Sequence, residues 1–498
     1  MNCKISFAGF PVVILFVIYF YSTFPKIAGI IIIQNHGIFQ LFFIRLMVYW
    51  KNQTWTDFVR HFNMIGRETL YMNGKKLRYG LIFIVLTTLI YILMELRYGI
   101  PIRPLRLKHY AAAAVLAACS CLIHIRRAGA SPGYVRELLC GYRNKPGRIV
   151  YMDYLRVLAA FLVILVHVLE PAYAVLMPHT FTRNVMAAVA GLGLSCNLLF
   201  MMLSGALLLG GKEESVLQFY SRRFVRVLIP CFAYYLFYFF YVEGISALSP
   251  GNWGSLIQSF LSNDSGQTPH FWLVYIILMF YVAAPFFRIM LKHMTESMLE
   301  ALTAVIFILH FIYTYGPLVH VQFAASAFLA SWDSIFLLGY YCTTQSAMKH
   351  YRLFLTAGLL SGLVMAASIM TSESLGPLVY NNAPPQMLFT CAVFLFFRKH
   401  GDHLFSRIPT VLSAIGRYSF SILLVHWLVL HRIVGDVFGI NGLSFGIAGG
   451  ILVSFLLTLA ISLALAFLYD NTIVLCMDRA CEILFGALGR VRKRPPNM

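Results

Sequence analysis

Four ionisable residues, Asp153, Arg156, His167 and Glu170, fall within one apolar stretch of about thirty residues that begins Tyr151-Met-Asp-Tyr-Leu-Arg156. Arg156 and His167 are eleven residues apart; on a helix this is three turns plus about 20°, and roughly 16 Å of axial rise. They therefore share a face, one shallow and one deep. An ionisable side chain inside a membrane span costs about 2.5–3.5 kcal/mol or more, so an aligned pair facing a protein interior points to a functional site. The chemistry on offer is defined by the side chains. A guanidinium binds phosphate in bidentate fashion, and an imidazole, with an ordinary pKa of about 6.5, exchanges protons near neutral pH. Glu170, three residues beyond His167, lies on the same face and can orient the ring, as can a backbone carbonyl.

The elements that position these residues follow from composition. The chain has 60% hydrophobic and 12% charged residues, with a mean hydropathy of +0.76. Soluble domains are far more polar. Apolar runs of about the ~20 residues that cross ~30 Å of hydrocarbon recur along nearly the whole chain. The expected fold is all-α: a polytopic transmembrane bundle with about ten helices in its core unit and two to four further hydrophobic segments before it. The ten helices are expected at about 149–175, 185–210, 224–244, 270–287, 299–316, 322–345, 353–372, 384–398, 410–431 and 443–470. Ten scattered cysteines without CxxC pairing read as small apolar residues, and no metal site is implied.

The formal charge of +20 resembles that of a nucleic-acid binder, but the charges cluster in alternate loops. One set of connections carries Arg143, Lys145, Arg148, Lys212, Arg222, Arg223, Arg288, Lys292, Arg398 and Lys399; the other has little beyond Arg183 and Arg432. By the positive-inside rule the first set is cytoplasmic, as are both ends of the ten-helix unit. Basic charge then reports topology and attraction to anionic membrane lipid, and no nucleic acid is implied. The implied location is a plasma (inner) membrane, crossed many times.

Four regions are expected: a hydrophobic amino-terminal extension at 1–71, a two-helix hairpin with a basic cytoplasmic linker at 72–147, the membrane domain at 148–475, and a basic cytoplasmic tail at 476–498. Residues 80–96 and 110–125 read as the hairpin's spans. Met72-Asn-Gly-Lys-Lys before an apolar run looks like a natural start, so residues 1–71 are expected to be dispensable, and no convincing cleavage site marks a removed signal peptide.

The run from Tyr151 through Ala160, with His167 eleven residues after Arg156, resembles the first-helix signature of the acyltransferase family 3 membrane proteins, which acylate cell-envelope glycans. Phe200-Met-Met-Leu-Ser-Gly205 is similar to that family's aromatic-aromatic-x-x-Ser-Gly element, and Arg223-Phe-Val-Arg226 followed by Pro230 to its RxxR motif. His270-Phe-Trp-Leu-Val-Tyr275 through Pro285, Phe336-Leu-Leu-Gly-Tyr340, and Tyr418 through His426 resemble later family elements. The ordered set covers about residues 148–475. Two departures are visible: Met201 stands where a second aromatic is usual, and Leu423 where a tyrosine is. No appended Ser-Gly-Asn-His hydrolase-like domain is visible, so the membrane unit would work alone or with a separate partner protein.

The resemblance implies transfer of an acetyl or other short acyl group from cytoplasmic acyl-CoA, as donor substrate, to a hydroxyl of an envelope polysaccharide, glycolipid or lipid-linked precursor. Arg156, Arg223 and Arg226 would hold the donor's phosphates near the cytoplasmic boundary while the long pantetheine arm reaches inward. His167 would act as the base and Glu170 would orient it. Both direct transfer and an acyl-histidine relay fit this arrangement. Ser204, His270, Trp272 and His426 are the candidate acceptor-side residues.

Each of these residues also has a plainer reading. The arginines can snorkel and set topology, Asp153 and Arg156 can form an i,i+3 ion pair, Ser204-Gly205 can serve close helix packing, and interfacial tryptophan can anchor the membrane boundary. His310, His320 and His431 read as structural. A transporter that uses the buried charges for ion coupling is the alternative of another class; it calls for paired repeats or matching broken helices, and none is evident.

Overall fold

The computed structural model describes residues 119–120, 123–124, 134–140, 149–211, 214–220, 223, 225–243, 250–262, 268–321, 329–404 and 410–481. The expectations for residues 1–71, for the hairpin at 80–96 and 110–118, for Arg222 and for the tail beyond 481 lie outside them. Two compact units are present. The first joins the chain up to Tyr134 with Asn471–Cys476, and within it the His124 ring is hydrogen-bonded through Nε2 to the Asn471 carbonyl at 2.7 Å. The second, Val135–Asp470 with Met477–Met498, carries the site.

Every regular element among the described residues is helical. The main helices are α1 (Val150–Ala174), α2 (Phe181–Gly193), α3 (Ser195–Leu209), α4 (Val225–Glu243), α5 (Trp272–Lys292), α6 (Glu296–Tyr315), α7 (Trp332–Tyr341), α8 (Tyr351–Thr371), α9 (Pro384–Leu404), α10 (Thr410–Leu428) and α11 (Ile447–Tyr469). Seven spans among the described residues are long and apolar enough to cross a membrane. The protein is thus a polytopic helical membrane protein.

Two expected spans differ in form. The second is kinked rather than continuous: the chain turns at Leu194, after Gly191 and Gly193, and α2 and α3 together make one span from Phe181 to Leu209. The run expected as one helix over 322–345 holds, in its described part, the ten residues of α7 and the first residue of a separate short helix, Gln345–Lys349. At 1.5 Å per residue α7 is about 15 Å long, half a bilayer. Its start is fixed by Leu329, which has a positive φ of 58°, and by the Asp333 carboxylate, which accepts from the Leu329 N–H at 2.8 Å. α4 is a shorter apolar helix, with Pro230 inside it.

α1 is the hub, packed against α2, α3, α9, α10 and α11. Its apolar sequence forms a helix, and Asp153 in the first turn suits the positive end of the helix dipole. In lipid, where tails are as apolar as leucine, such helices associate by close van der Waals fit. The fit is tightest between α3 and α7. A Cβ on Gly205 would lie 1.8 Å from the Phe336 carbonyl oxygen, and one on Gly339 would lie 2.0 Å from that of Met202. The Ser-Gly and Leu-Leu-Gly-Tyr elements are therefore two halves of one backbone-to-backbone contact. Met201, in place of the usual aromatic, is fully buried. α11 offers a narrow face, with Gly450, Ser454, Thr458, Ser462 and Ala466 buried at four-residue intervals.

Polar capping ties helix ends to distant elements. Arg398 donates to the Cys342 and Thr344 carbonyls at 2.8 and 2.6 Å, closing the end of α7. The helix Tyr134–Cys140 is closed from α10: Tyr418 donates to the Leu138 carbonyl at 2.6 Å, Arg417 to that of Glu137 at 2.6 Å and Ser413 to that of Cys140 at 3.0 Å.

Candidate functional site

Two polar clusters lie at opposite ends of α1. The first gathers where α1 begins, α3 ends, α4 begins and α5 ends, which consecutive antiparallel spans bring to one side of the bundle. Here Arg156 donates to Asp153 Oδ1 at 2.5 Å, one turn back along α1. Arg223 Nε donates to Glu214 Oε1 at 2.7 Å, and Arg288 Nη1 donates to the same oxygen at 3.1 Å. Both guanidiniums lie beside the Phe219 ring, 5.7 and 5.8 Å from its centroid, and Phe219 is buried. Burial alone would raise the Glu214 carboxyl, but the hydrogen bonds and charges of Arg223 and Arg288 outweigh it and hold the group below the ordinary range. Arg226, expected beside Arg223, is exposed. Its place next to Arg223 is taken by Arg288, which was read from the sequence only as a topological charge.

The second cluster is aromatic and centres on His167. Its ring stacks on that of His426, with centroids 5.3 Å apart and planes 24° from parallel, and meets Trp427 edge to face at 5.0 Å. His270 meets His426 edge to face at 5.2 Å and lies nearly parallel to Trp427 at 6.0 Å. His431, four residues on from Trp427, packs 4.2 Å from its ring. Beyond Leu428 the chain continues in a wide π-helical segment, Val429–Val437, a form common at functional sites.

Backbone carbonyls fix two of these rings. His426 Nδ1–H donates to the Leu423 carbonyl at 2.8 Å and that of Ile422 at 3.1 Å, so Nε2 carries the lone pair. His270 Nε2–H donates to the Leu424 carbonyl at 3.0 Å, so its lone pair is on Nδ1. Tyr238, whose hydroxyl accepts from the Leu428 N–H at 3.1 Å, stands 3.4 Å from His270 Nε2. His167 Nδ1 faces Glu170 Oε2 at 3.4 Å, inside ion-pair reach but outside hydrogen-bond alignment. His426 Nε2, His270 Nδ1 and His431 Nε2 are buried without a hydrogen-bond partner in the structure. Three helices thus bring imidazoles with open ring nitrogens around one indole, an arrangement able to accept, hold and pass a proton.

The structure unites His167, Glu170, His270 and His426. Ser204 is committed elsewhere, donating to the Phe200 carbonyl at 2.8 Å within α3. Trp272, two residues from His270, turns outward; it packs against Trp332 at 5.3 Å and keeps 36% of its surface exposed. Sequence reasoning missed Trp427, Tyr238, Arg288 and Glu214 and set His431 aside. The i,i+4 spacing of Trp427 and His431, next to His426, was the available signal.

Neither a curated protein nor a solved structure is significantly similar to this chain. The family model described as an acyltransferase domain does match it, over residues 149–468. That match spans α1 through α11 nearly end to end, includes every residue of both clusters, and makes the chain a member of the acyltransferase family 3 membrane proteins.

Proposed function

We propose that this membrane acyltransferase moves an acetyl or other short acyl group from cytoplasmic acyl-CoA to a hydroxyl of an envelope polysaccharide, glycolipid or lipid-linked precursor, in a plasma (inner) membrane with both ends of the matched domain cytoplasmic. The observation that carries this reading is the stacking of His167 on His426, about 16 Å along α1 from Arg156. A donor with anionic phosphates at one end and a thioester at the end of a long arm matches a basic cluster at one end of a helix and a proton-exchanging cluster near the other. Arg156 and Arg223 would hold the phosphates, with Arg226 at the exposed rim.

In the chemical step, Glu170 faces Nδ1 of His167 and orients the ring, leaving Nε2 as the base. The acceptor hydroxyl gives its proton to Nε2 as its oxygen bonds to the thioester carbonyl carbon. The C–S bond then breaks, and the imidazolium returns the proton to the departing thiolate, leaving an ester and free coenzyme A thiol. His426 holds the His167 ring by stacking on it, and His270, edge to face with His426, serves the acceptor side.

Membrane vesicles containing the full chain, supplied with radiolabelled acetyl-CoA and envelope extract, test this directly. Label transferred to a glycan or glycolipid by the wild type and lost in His167→Ala supports it. Equal labelling by the two proteins would remove His167 from the mechanism, and no labelling with any acyl-CoA would remove the donor.

A further inference from the structure

Acyl transfer places a negative charge on the carbonyl oxygen of the donor when the acceptor oxygen adds to its carbon, and one hydrogen-bond donor aimed at that oxygen is worth about 10²–10³ in rate. Two of the rings around His167 have no N–H left to give. His426 spends Nδ1–H on the Leu423 and Ile422 carbonyls, and His270 spends Nε2–H on that of Leu424. Their remaining nitrogens, His426 Nε2 and His270 Nδ1, carry lone pairs and are buried. Trp427 differs from both. An indole nitrogen is a donor only, and that of Trp427 meets no acceptor among the described residues and is not buried. The ring that carries it meets His167 edge to face, with centroids 5.0 Å apart and planes at 90°. His167 Nδ1 is buried towards Glu170, whereas Nε2, the nitrogen that takes the acceptor's proton, is not. An open donor and an open base thus stand on neighbouring rings. Further contacts hold the indole in place: His270 lies nearly parallel at 6.0 Å, and His431, from the π-helical segment that follows, packs at 4.2 Å.

We propose that Trp427 is a catalytic residue whose indole N–H stabilises the oxyanion formed during acyl transfer. As the acceptor oxygen bonds to the thioester carbonyl carbon and its proton passes to His167 Nε2, the carbonyl π pair moves onto oxygen, and the Trp427 N–H donates a hydrogen bond to that charge without giving up its proton. When the C–S bond breaks, the pair returns to form the ester carbonyl, the thiolate takes the proton back from His167, and the indole is unchanged. This rests on the proposed function for the reaction and adds to it the donor that acyl transfer requires.

The test removes the N–H and keeps the ring. Benzothienylalanine, which has the shape of tryptophan with sulfur in place of the N–H, is incorporated at position 427 of the full chain, beside 5-fluorotryptophan, which keeps the N–H, and Trp427→Phe. Initial rates with radiolabelled acetyl-CoA and envelope extract in membrane vesicles, normalised to enzyme, give kcat and the KM for the donor. Benzothienylalanine and Trp427→Phe should each lower kcat by roughly 100-fold, with the acetyl-CoA KM within about threefold because the lost interaction belongs to the transition state. The 5-fluorotryptophan protein should stay within about threefold of wild type in kcat. A benzothienylalanine protein as fast as wild type would overturn the proposal, since the indole would then act by packing alone. A raised KM with unchanged kcat would overturn it too, because the N–H would then bind the ground state equally well. Equal loss in the fluorinated protein would assign the effect to ring shape. Labelled product from wild type, with any of these three results, defeats this inference and spares the proposed function; no labelled product from wild type with any acyl-CoA defeats both.

Discussion

The His167 and His426 imidazoles lie parallel within 24°, with centroids 5.3 Å apart. His426 donates through Nδ1 to carbonyls of its own helix, so its ring is fixed in place against that of His167. On this reading His426 is a positioning residue.

The pair can be dissected. His167→Ala should lower acyl transfer at least about 100-fold, the usual contribution of a general base, with membrane insertion unchanged. His426→Phe keeps a flat ring against His167, and its kcat is expected within about tenfold of wild type, whereas His426→Ala should fall further. Initial rates with labelled acetyl-CoA measure this; equal loss in the Phe and Ala variants would shift the role to His426 Nε2.

Trp427 and Trp272 make a contrasting pair. Trp427 touches His167, His270 and His431, whereas Trp272 faces outward against Trp332. Trp427→Ala should reduce kcat by at least about tenfold, since loosening a catalytic group by an ångström costs that much or more. Trp272→Ala should leave kcat within about twofold, because it removes only a boundary contact. The same labelling assay, run on protein matched for expression, decides between them.

The α3–α7 contact should respond to single atoms. Gly205→Ala or Gly339→Ala places a methyl against backbone oxygen, and each is expected to cost up to about 3 kcal/mol, the upper range for overpacking. Ser204→Ala removes one hydroxyl bond within a helix and should cost about 1 kcal/mol or less. Thermal unfolding in detergent ranks the three, and a Gly205→Ala midpoint equal to wild type would mean that the two helices separate easily.

Acid should reveal the Glu214 link. Arginine pairing depresses the folded-state carboxyl, so the unfolded chain binds its proton first as pH falls. The stabilisation is fully present above the ordinary glutamate value of about 4.3 and is lost as pH drops through the lower folded value. Wild type and Glu214→Gln should therefore run parallel from neutral pH to about 5 and converge below it. Midpoints measured across a pH series test this; curves that stay parallel down to pH 3 or so would deny the depression.

Helix existence was legible where the chain is apolar over a full span, as in α1, α5 and α8. The same hydropathy misread 322–345, because an apolar run does not reveal where backbone geometry breaks it; Leu329 with its positive φ marks the start of a much shorter helix. Within the site, Arg156, His167 and Glu170 were legible because they share one helix and its periodicity. Arg288 was not, since it meets a carboxylate 74 residues away, across two helix ends. Trp427 reads as one more apolar residue of its span, and only tertiary packing brings His167 and His270 to its indole.

Because Arg156 and His167 are borne by a single unbroken rod, no loop intervenes to stretch or shorten the gap between them. Neighbouring helices can shift against α1 without altering that reach. The protein would thereby act as a gauge, rejecting any donor whose arm is too short to touch the ring while its anionic head is held. One residue added between the two would turn the ring about 100° away from its partners, whereas seven would bring it back to nearly the same face some 10 Å farther along, with longer carriers as the natural beneficiaries.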